Sequence, residues 1–139
     1  MCLYICKSLK SVLNKQDLIY PELSYKLVGL AYSVFNELGF GHLEKTYQRA
    51  FALELKRENI GYKEQVKYNV EYKGEVVGTN YLDFEIDGKI IIELKKSGYL
   101  SKKNLEQISN YLKVTGLKLG IVIIFTPEGV RCKRIVNEH

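Results

Sequence analysis

The amino-acid sequence predicts an α/β fold, specifically an α/β sandwich in which helices flank a mixed central sheet. Apolar residues recur at helical spacing in three segments. In five others they alternate with polar residues or form short uninterrupted runs. Glycines and turn residues separate the segments, whose order is helix, helix, three strands, helix and two strands. We find neither an internal repeat nor a linker that would divide them.

Start and stop signals delimit the three predicted helices. Pro21 suits a first helical turn, because its missing amide proton has no intrahelical partner there in any case. Ser101 is a favoured N-cap residue for the third helix. The predicted helices span about 22–38, 42–59 and 101–115, and the glycines that end them are Gly39, Gly61 and Gly116.

The predicted strands span about 66–72, 75–86, 89–95 and 119–125, followed by a last strand that ends near residue 136. Three consecutive isoleucines at 90–92 predict that the third strand is central and covered on both faces. A helix joins the third strand to the fourth. We therefore expect the fourth strand to lie parallel to a neighbour, through a right-handed connection.

The length of 139 residues suits one domain with its own core. We assign residues 20–139 to that domain, and residues 1–19, which have no clear hydrophobic period, to an N-terminal arm. Three cysteines without a CxxC pair or a nearby histidine pair argue against a disulfide framework and a zinc site. No apolar run reaches the length of a signal peptide or a membrane span, so we expect a soluble cytoplasmic protein without a membrane partner.

The net charge is +5, from 21 basic and 16 acidic side chains. A basic balance favours partners that carry phosphate groups, and it raises a nucleic-acid hypothesis without distinguishing DNA from RNA. The sequence does not determine the oligomeric state, and a homodimer stays open.

The residues that carry chemistry are Asp83, on the second strand, and Glu93-Leu94-Lys95, at the end of the third. Residues two apart on a strand share a face, so Glu93 and Lys95 point to one side while Leu94 faces the core. Charges beside an apolar strand are costly unless they are paired or bind a ligand. Two converging carboxylates suit Mg²⁺, and a lysine beside the metal could orient a water and stabilise charge on a phosphate. A solvated ion pair is the alternative reading of Glu-x-Lys alone.

The turn between the second and third strands decides whether this site can form. A two-residue turn at Asp87-Gly88 would set Asp83 opposite Ile92, and Asp83 and Glu93 would then face opposite sides of the sheet. A three-residue loop, or a bulge, sets Asp83 opposite Glu93 instead. The site hypothesis therefore predicts the longer loop, against the strong two-residue signal of Asp-Gly.

Two helices contribute further candidate residues. Gln107 and Tyr111 are one turn apart on the third helix and share a face, as do Glu44 and Tyr47 on the second. Core packing of Tyr111, a solvated Gln107 and a helix-dipole role for Glu44 are the structural alternatives.

The segment Gly41-His42-Leu43-Glu44-Lys45-Thr46-Tyr47 resembles the signature of the GxxExxY protein family, a branch of the PD-(D/E)XK nuclease superfamily. The resemblance extends from about Leu18 to Val136 and includes, in order, Asp83, Glu93-Leu94-Lys95 and the Gln107 to Tyr111 element. It implies a restriction-endonuclease-like sandwich.

By that resemblance, Asp83 and Glu93 hold Mg²⁺ or Mn²⁺, with Glu44 as an upstream acidic contributor. Lys95 is the catalytic lysine, and Gln107, Tyr111 and Tyr47 support the site or contact substrate. The expected function is metal-dependent hydrolysis of phosphodiester bonds in nucleic acid. Two alternatives stay open: a nucleic-acid-binding or regulatory module that retains the nuclease fold without turnover, and a structural domain in which the charges form an internal salt-bridge network.

Overall fold

A computed structural model describes residues 19–96 and 100–138. Within these ranges the helices are α1 (Pro21–Leu38), α2 (Glu44–Arg57) and α3 (Lys102–Thr115). The strands are β1 (Tyr62–Tyr72), β2 (Glu75–Ile86), β3 (Ile90–Lys96), β4 (Leu119–Thr126) and β5 (Gly129–Val136). The predicted N-terminal arm lies outside the described residues except for Ile19, which packs against the core and accepts a hydrogen bond from Arg134 Nη2 at 3.1 Å.

The five strands form one mixed sheet in the order β1-β2-β3-β4-β5. β3 and β4 are parallel, and the other three neighbouring pairs are antiparallel. Helix α3 connects the two parallel strands. The predicted α/β sandwich with a mixed sheet is therefore confirmed, including the parallel placement of the fourth strand.

Apolar side chains form two cores, one on each face of the sheet. The first core lies between the sheet and helices α1 and α2, and the second lies between the sheet and α3. β3 contributes to both, because Ile90 and Ile92 point into the first core while Ile91 points into the second. The consecutive isoleucines thus mark a central strand, as predicted. None of the described helices combines the length and apolarity needed to cross a bilayer.

The ends of α3 follow the predicted signals. The Ser101 side chain accepts a hydrogen bond from the Asn104 amide at 3.1 Å, and Gly116 ends the helix with φ +78°. The prediction that Gly61 ends the second helix is wrong. Helix α2 ends at Arg57 and Asn59 takes the left-handed conformation (φ +55°), which asparagine tolerates better than most residues. Strand β1 consequently begins at Tyr62, four residues before its predicted start.

Strands β1 and β2 change orientation together at Gln65 and Asp83. Residues two apart on a regular strand share a face, yet Leu82 packs in the second core and Phe84 in the first. Val66 pairs with Leu82, and between the paired positions lies Gln65, whose φ is +52°. The strand pair therefore rotates at Asp83 and Gln65. Everything from Val66 to Leu82 lies beyond this bend.

Candidate active site

The register between β2 and β3 brings Asp83 and Glu93 together. The paired residues are Ile86 with Ile90, Glu85 with Ile91, and Phe84 with Ile92. Continuing this register sets Asp83 opposite Glu93. Both side chains lie on the second-core face, because Glu93 is two residues from Ile91. The register that the site hypothesis requires is confirmed.

The turn that sets this register combines both of the alternatives drawn from the sequence. Asp87 and Gly88 have φ of +53° and +64°, and the Lys89 amide donates to the Ile86 carbonyl oxygen at 2.8 Å. The Asp-Gly pair thus forms its tight turn. Because the ladder resumes at Ile86 and Ile90, Lys89 is an extra residue that displaces the pairing by one position.

Beyond the last paired residues of β2 and β3, the two carboxyl groups accept hydrogen bonds from backbone amides of the opposite strand. The Asp83 amide donates to Glu93 Oε1 at 2.7 Å, and the Leu94 amide donates to Asp83 Oδ2 at 2.7 Å. Each side chain therefore accepts a backbone N–H near the end of the paired region. These reciprocal bonds fix both carboxyl groups in position, since a buried backbone donor without a partner would be costly.

The electrostatics of the pair favour a shared proton or a bound cation. Glu93 is 9% exposed. Burial, followed by the charge of Asp83, raises the pKa of Glu93 to about 7. Burial also raises the pKa of Asp83, against the Leu94 amide and the Lys95 charge, which lower it. Two carboxylates this close repel each other when both are ionised, and a cation between them relieves that repulsion.

Lys95 brings a positive charge to the same face. Its Nζ lies 3.6 Å from Glu93 Oε2, and its side chain is 26% exposed. The neighbouring Lys96 alternates to the other face, where its Nζ lies 5.9 Å from the centre of the Phe40 ring. Of the two consecutive lysines, Lys95 is therefore the one that reaches the carboxyl pair.

Glu44 reaches the end of β3 from the start of α2. Its Oε2 accepts a hydrogen bond from the Lys96 amide at 2.9 Å, and its charge is among the influences that raise the pKa of Asp83. The side chain is exposed. The structure thus brings Glu44 to the same end of the sheet as the pair, while its role as a metal ligand stays a prediction.

Tyr47 holds the loop that precedes α2. Its ring is buried and stacks on Phe125 with centroids 4.2 Å apart. Its hydroxyl donates to the Gly39 carbonyl oxygen at 2.6 Å and accepts from the His42 amide at 3.4 Å. These contacts fix the loop that leads into Glu44, and a contact of Tyr47 with substrate stays a prediction.

Tyr111 approaches the site from α3. It packs edge-to-face against Tyr68 and donates its hydroxyl to Glu85 Oε1 at 3.2 Å. Burial and the charge of Glu85 raise the pKa of Tyr111 to about 12, so the phenol stays protonated and can donate. Gln107 is half-buried one turn earlier on the same helix.

Glu85 and Gln65 adjoin the candidate site, and the sequence analysis predicts a role for neither of them. Glu85 lies two residues from Asp83 on the same face and receives the Tyr111 hydroxyl. The Asp83-Phe84-Glu85 alternation on a strand is a signal that could have identified it. Nothing in the sequence indicates that Gln65 would adopt a positive φ opposite Asp83.

The two carboxylates suit an ion such as Mg²⁺ or Mn²⁺ that keeps several water ligands, and they are too few for an ion that is coordinated by protein atoms alone. Within the described ranges, no group of three or more His, Cys, Asp or Glu side chains is arranged to hold a metal ion. Magnesium retains several waters and is commonly held by one or two carboxylates. The Asp83–Glu93 pair supplies two, with raised pKa values that a cation would lower.

Comparisons with known proteins agree with this fold. A family model of the PD-(D/E)XK nuclease superfamily matches residues 21–135. Among solved structures, the crystal structure of SSO0001 matches with a TM-score of 0.54 and 21% identity, a likeness that shows the fold alone. The match covers 67% of this chain and 49% of that one, so this chain spans about half of its length. A comparison with curated proteins finds no match.

Proposed function

The chain belongs to the PD-(D/E)XK nuclease superfamily, and on that basis we propose that it hydrolyses phosphodiester bonds in nucleic acid with a divalent metal ion. The observation that carries the proposal is the β2–β3 register. It sets Asp83 opposite Glu93 on a half-buried face, with Lys95 two residues farther along. A two-residue loop would have separated the carboxyl groups, and the extra residue in the turn brings them together.

In this proposal Asp83 and Glu93 hold Mg²⁺ or Mn²⁺, and Glu44 contributes from the start of α2. The metal, when bound, polarises the phosphate and lowers the pKa of a water. The backbone amides of Asp83 and Leu94 each donate to one carboxyl group of the pair and restrict its orientation. Because the fold already holds these groups in place, little side-chain entropy is lost when the metal binds.

Lys95 orients the attacking water and places positive charge beside the phosphate in this scheme. The water oxygen forms the new bond to phosphorus and releases a proton to solvent, while the bond to the leaving oxygen breaks and the leaving oxygen takes a proton from solvent. The ammonium group lies 3.6 Å from Glu93 Oε2 and is partly exposed, which supports a position within reach of a phosphate bound at the carboxyl pair. Fixed positive charge at this point stabilises the developing negative charge.

We assign the chain more finely to the GxxExxY family, because each of its signature residues has a physical task. Gly41 has φ +111°, a conformation that residues with a Cβ rarely adopt. Glu44 accepts a hydrogen bond from the end of β3, and Tyr47 holds the loop that precedes α2. This backbone conformation and these two contacts support a role for the signature in connecting α2 to the site. The net charge of +5 supports a nucleic-acid substrate, and a cytoplasmic location stays a prediction.

One observation favours a second candidate, a nucleic-acid-binding or regulatory module without turnover. Asp83 and Glu93 each use one oxygen to accept a backbone amide, so both side chains have a structural task in any case. A domain that had lost catalysis would still need them to hold β2 and β3.

Cleavage and binding measurements distinguish the two candidates. We would incubate the protein with labelled single- and double-stranded DNA and RNA, in Mg²⁺ or Mn²⁺ and in EDTA. The nuclease proposal predicts that at least one substrate is cleaved in the presence of Mg²⁺ or Mn²⁺ and that none is cleaved in EDTA. Binding that weakens as salt rises, without cleavage of any substrate, would favour the binding module. If the protein neither cleaves nor binds any of these substrates, both candidate functions are contradicted.

A further inference from the structure

Among the described residues, no strand pairs with the outer edge of β1. This strand is the first in the order β1-β2-β3-β4-β5, so within the part of the chain that is described only β2 pairs with it. The positive φ of Gln65 interrupts it near its start and leaves a continuous segment, Val66–Tyr72, that we call the β1 edge. Open strand edges carry unpaired amides and carbonyls that can pair with another strand.

The hairpin that carries the β1 edge is unusually apolar on its surface. Half of the large apolar side chains that are exposed in the described part of the chain belong to it: Val70, Tyr72, Val76, Val77 and Tyr81. Tyr72 is 62% exposed. Val70 and Tyr72 share one face of the hairpin, and Tyr81 and Val76 pair with Lys67 and Glu71 on the other face, so each face of the hairpin exposes apolar side chains that can contact a partner.

A bulge in this hairpin leaves the β1 edge itself intact. Val70 pairs with Gly78 and Glu71 pairs with Val76, so the extra residue, Val77, is on β2. Bulges protect a strand edge when they interrupt the edge strand, and this one interrupts the inner strand instead. The edge therefore keeps a regular alternation of side chains from Val66 to Tyr72.

We propose that two copies of this chain pair antiparallel through their β1 edges, with Asn69 of each copy at the two-fold axis. Asn69 is the central residue of the seven, and a two-fold axis there pairs residues whose numbers sum to 138. Tyr68 then faces Val70, Val66 faces Tyr72, and Lys67 faces Glu71, each pair occurring twice. The segment is thus complementary to itself, apolar on one face and oppositely charged on the other.

Charge favours this register over its neighbours, and an axis at Tyr68 would set Lys67 opposite Asn69 and lose both Lys67–Glu71 pairs. Lys67 and Glu71 are exposed, and neither makes an ion pair with any residue that the structure describes. A two-fold axis at Lys67 or at Glu71 would set like charges opposite each other, and an axis at Val70 would set Lys67 opposite Lys73. Like charges directly opposite on neighbouring strands are destabilising. The second copy is therefore the occupant that the side chains of this edge fit.

Charge reversal tests the pairing and its register together. We would measure the mass of the full chain by sedimentation over roughly 1 to 300 µM, since a seven-residue strand pairing is small beside a standard interface. The wild type should dimerise with rising concentration. Lys67→Glu and Glu71→Lys should each weaken dimerisation at least about tenfold, because each sets like charges opposite twice per dimer.

Mixing the two variants gives the decisive result. One variant has two acidic side chains at these positions and the other has two basic ones, so an equimolar mixture should form a heterodimer about as tight as the wild-type dimer. Lys56→Glu, at an exposed position on α2, has the same charge change and should dimerise like the wild type. A wild type that stays monomeric, variants that dimerise normally, or a mixture that stays monomeric would each overturn the proposal. None of these outcomes depends on nuclease activity.

Discussion

At the scale of single residues, Asp83 and Glu93 serve the fold and the proposed chemistry with the same atoms. Each carboxyl group accepts a backbone amide of the opposite strand, where the regular pairing of β2 and β3 ends. The same bonds hold two acidic groups close together and largely buried, which raises the pKa of both. The groups that stabilise the strand ends are therefore two carboxyl groups whose mutual repulsion is reduced when they bind a proton or a cation.

The stability of the metal-free protein should fall as the pH rises. The pKa of Glu93 is raised from its ordinary value of 4.5 to about 7, so between these values the folded state binds more protons than the unfolded chain. The corresponding stability is fully present below pH 4.5 and is lost as the pH passes through 7. We expect the free energy of unfolding to fall by on the order of 2 kcal/mol from pH 5 to 8.

Urea denaturation in EDTA at a series of pH values measures this loss. Glu93→Gln should remove most of the slope, because glutamine does not titrate. A wild-type slope that survives in Glu93→Gln would assign the pH dependence to other groups.

Two substitutions at Asp83 should separate its structural task from its charge. Asp83→Asn retains an oxygen that can accept the Leu94 amide and removes the repulsion with Glu93, so we expect stability within about 1 kcal/mol of the wild type. Asp83→Ala leaves that amide without its partner and should cost about 1–3 kcal/mol. Both variants should lose any rise in melting temperature that Mg²⁺ gives the wild type. Equal destabilisation by the two substitutions would contradict the hydrogen-bond account.

At the scale of elements, the packing of the second core depends on a close approach of α3 to β4. Gly120 of β4 pairs with Ile91 of β3, and a Cβ at Gly120 would lie 2.8 Å from Ile108 Cγ2 of α3. The absence of a side chain at Gly120 thus lets the helix approach the strand. The position of Tyr111, one turn after Ile108, depends on that approach.

Gly120→Ala should therefore push α3 away from the sheet. We expect a loss of about 1–3 kcal/mol in the free energy of unfolding, from overpacking of the second core. Gly29→Ala is the matched control, because a Cβ on this residue of α1 would have no atom within 4 Å. It should stabilise the protein by about 0.5–1 kcal/mol, since alanine is the better helix former. Denaturation of both variants measures the difference, and a neutral Gly120→Ala would contradict the packing account.

At the scale of the whole molecule, the sequence predicted what hydrophobic periodicity and turn chemistry determine. The order of helices and strands, the central β3 and the parallel β4 follow from runs of apolar residues and one crossover helix. The β2–β3 register followed from a chemical requirement, because only one register unites Asp83 and Glu93. Local propensity alone favoured a different loop.

What the sequence could not predict depends on tertiary packing. The bend at Gln65 and Asp83 reverses the faces of β1 and β2, and no local pattern announces it. Asn59 replaced the expected glycine at the end of α2, because asparagine also tolerates the left-handed region. The contact between Tyr111 and Glu85 joins residues 26 positions apart, so it becomes visible only once α3 is placed on the sheet.

The most direct test of the central claim is the rate at which Lys95→Ala cleaves a nucleic-acid substrate of the wild type in Mg²⁺, measured beside Lys96→Ala. The two lysines are neighbours, but only Lys95 lies on the face of the carboxyl pair. We predict that Lys95→Ala lowers the rate at least about 100-fold, while Lys96→Ala stays near the wild type. Equal rates for Lys95→Ala and the wild type would contradict the proposed active site.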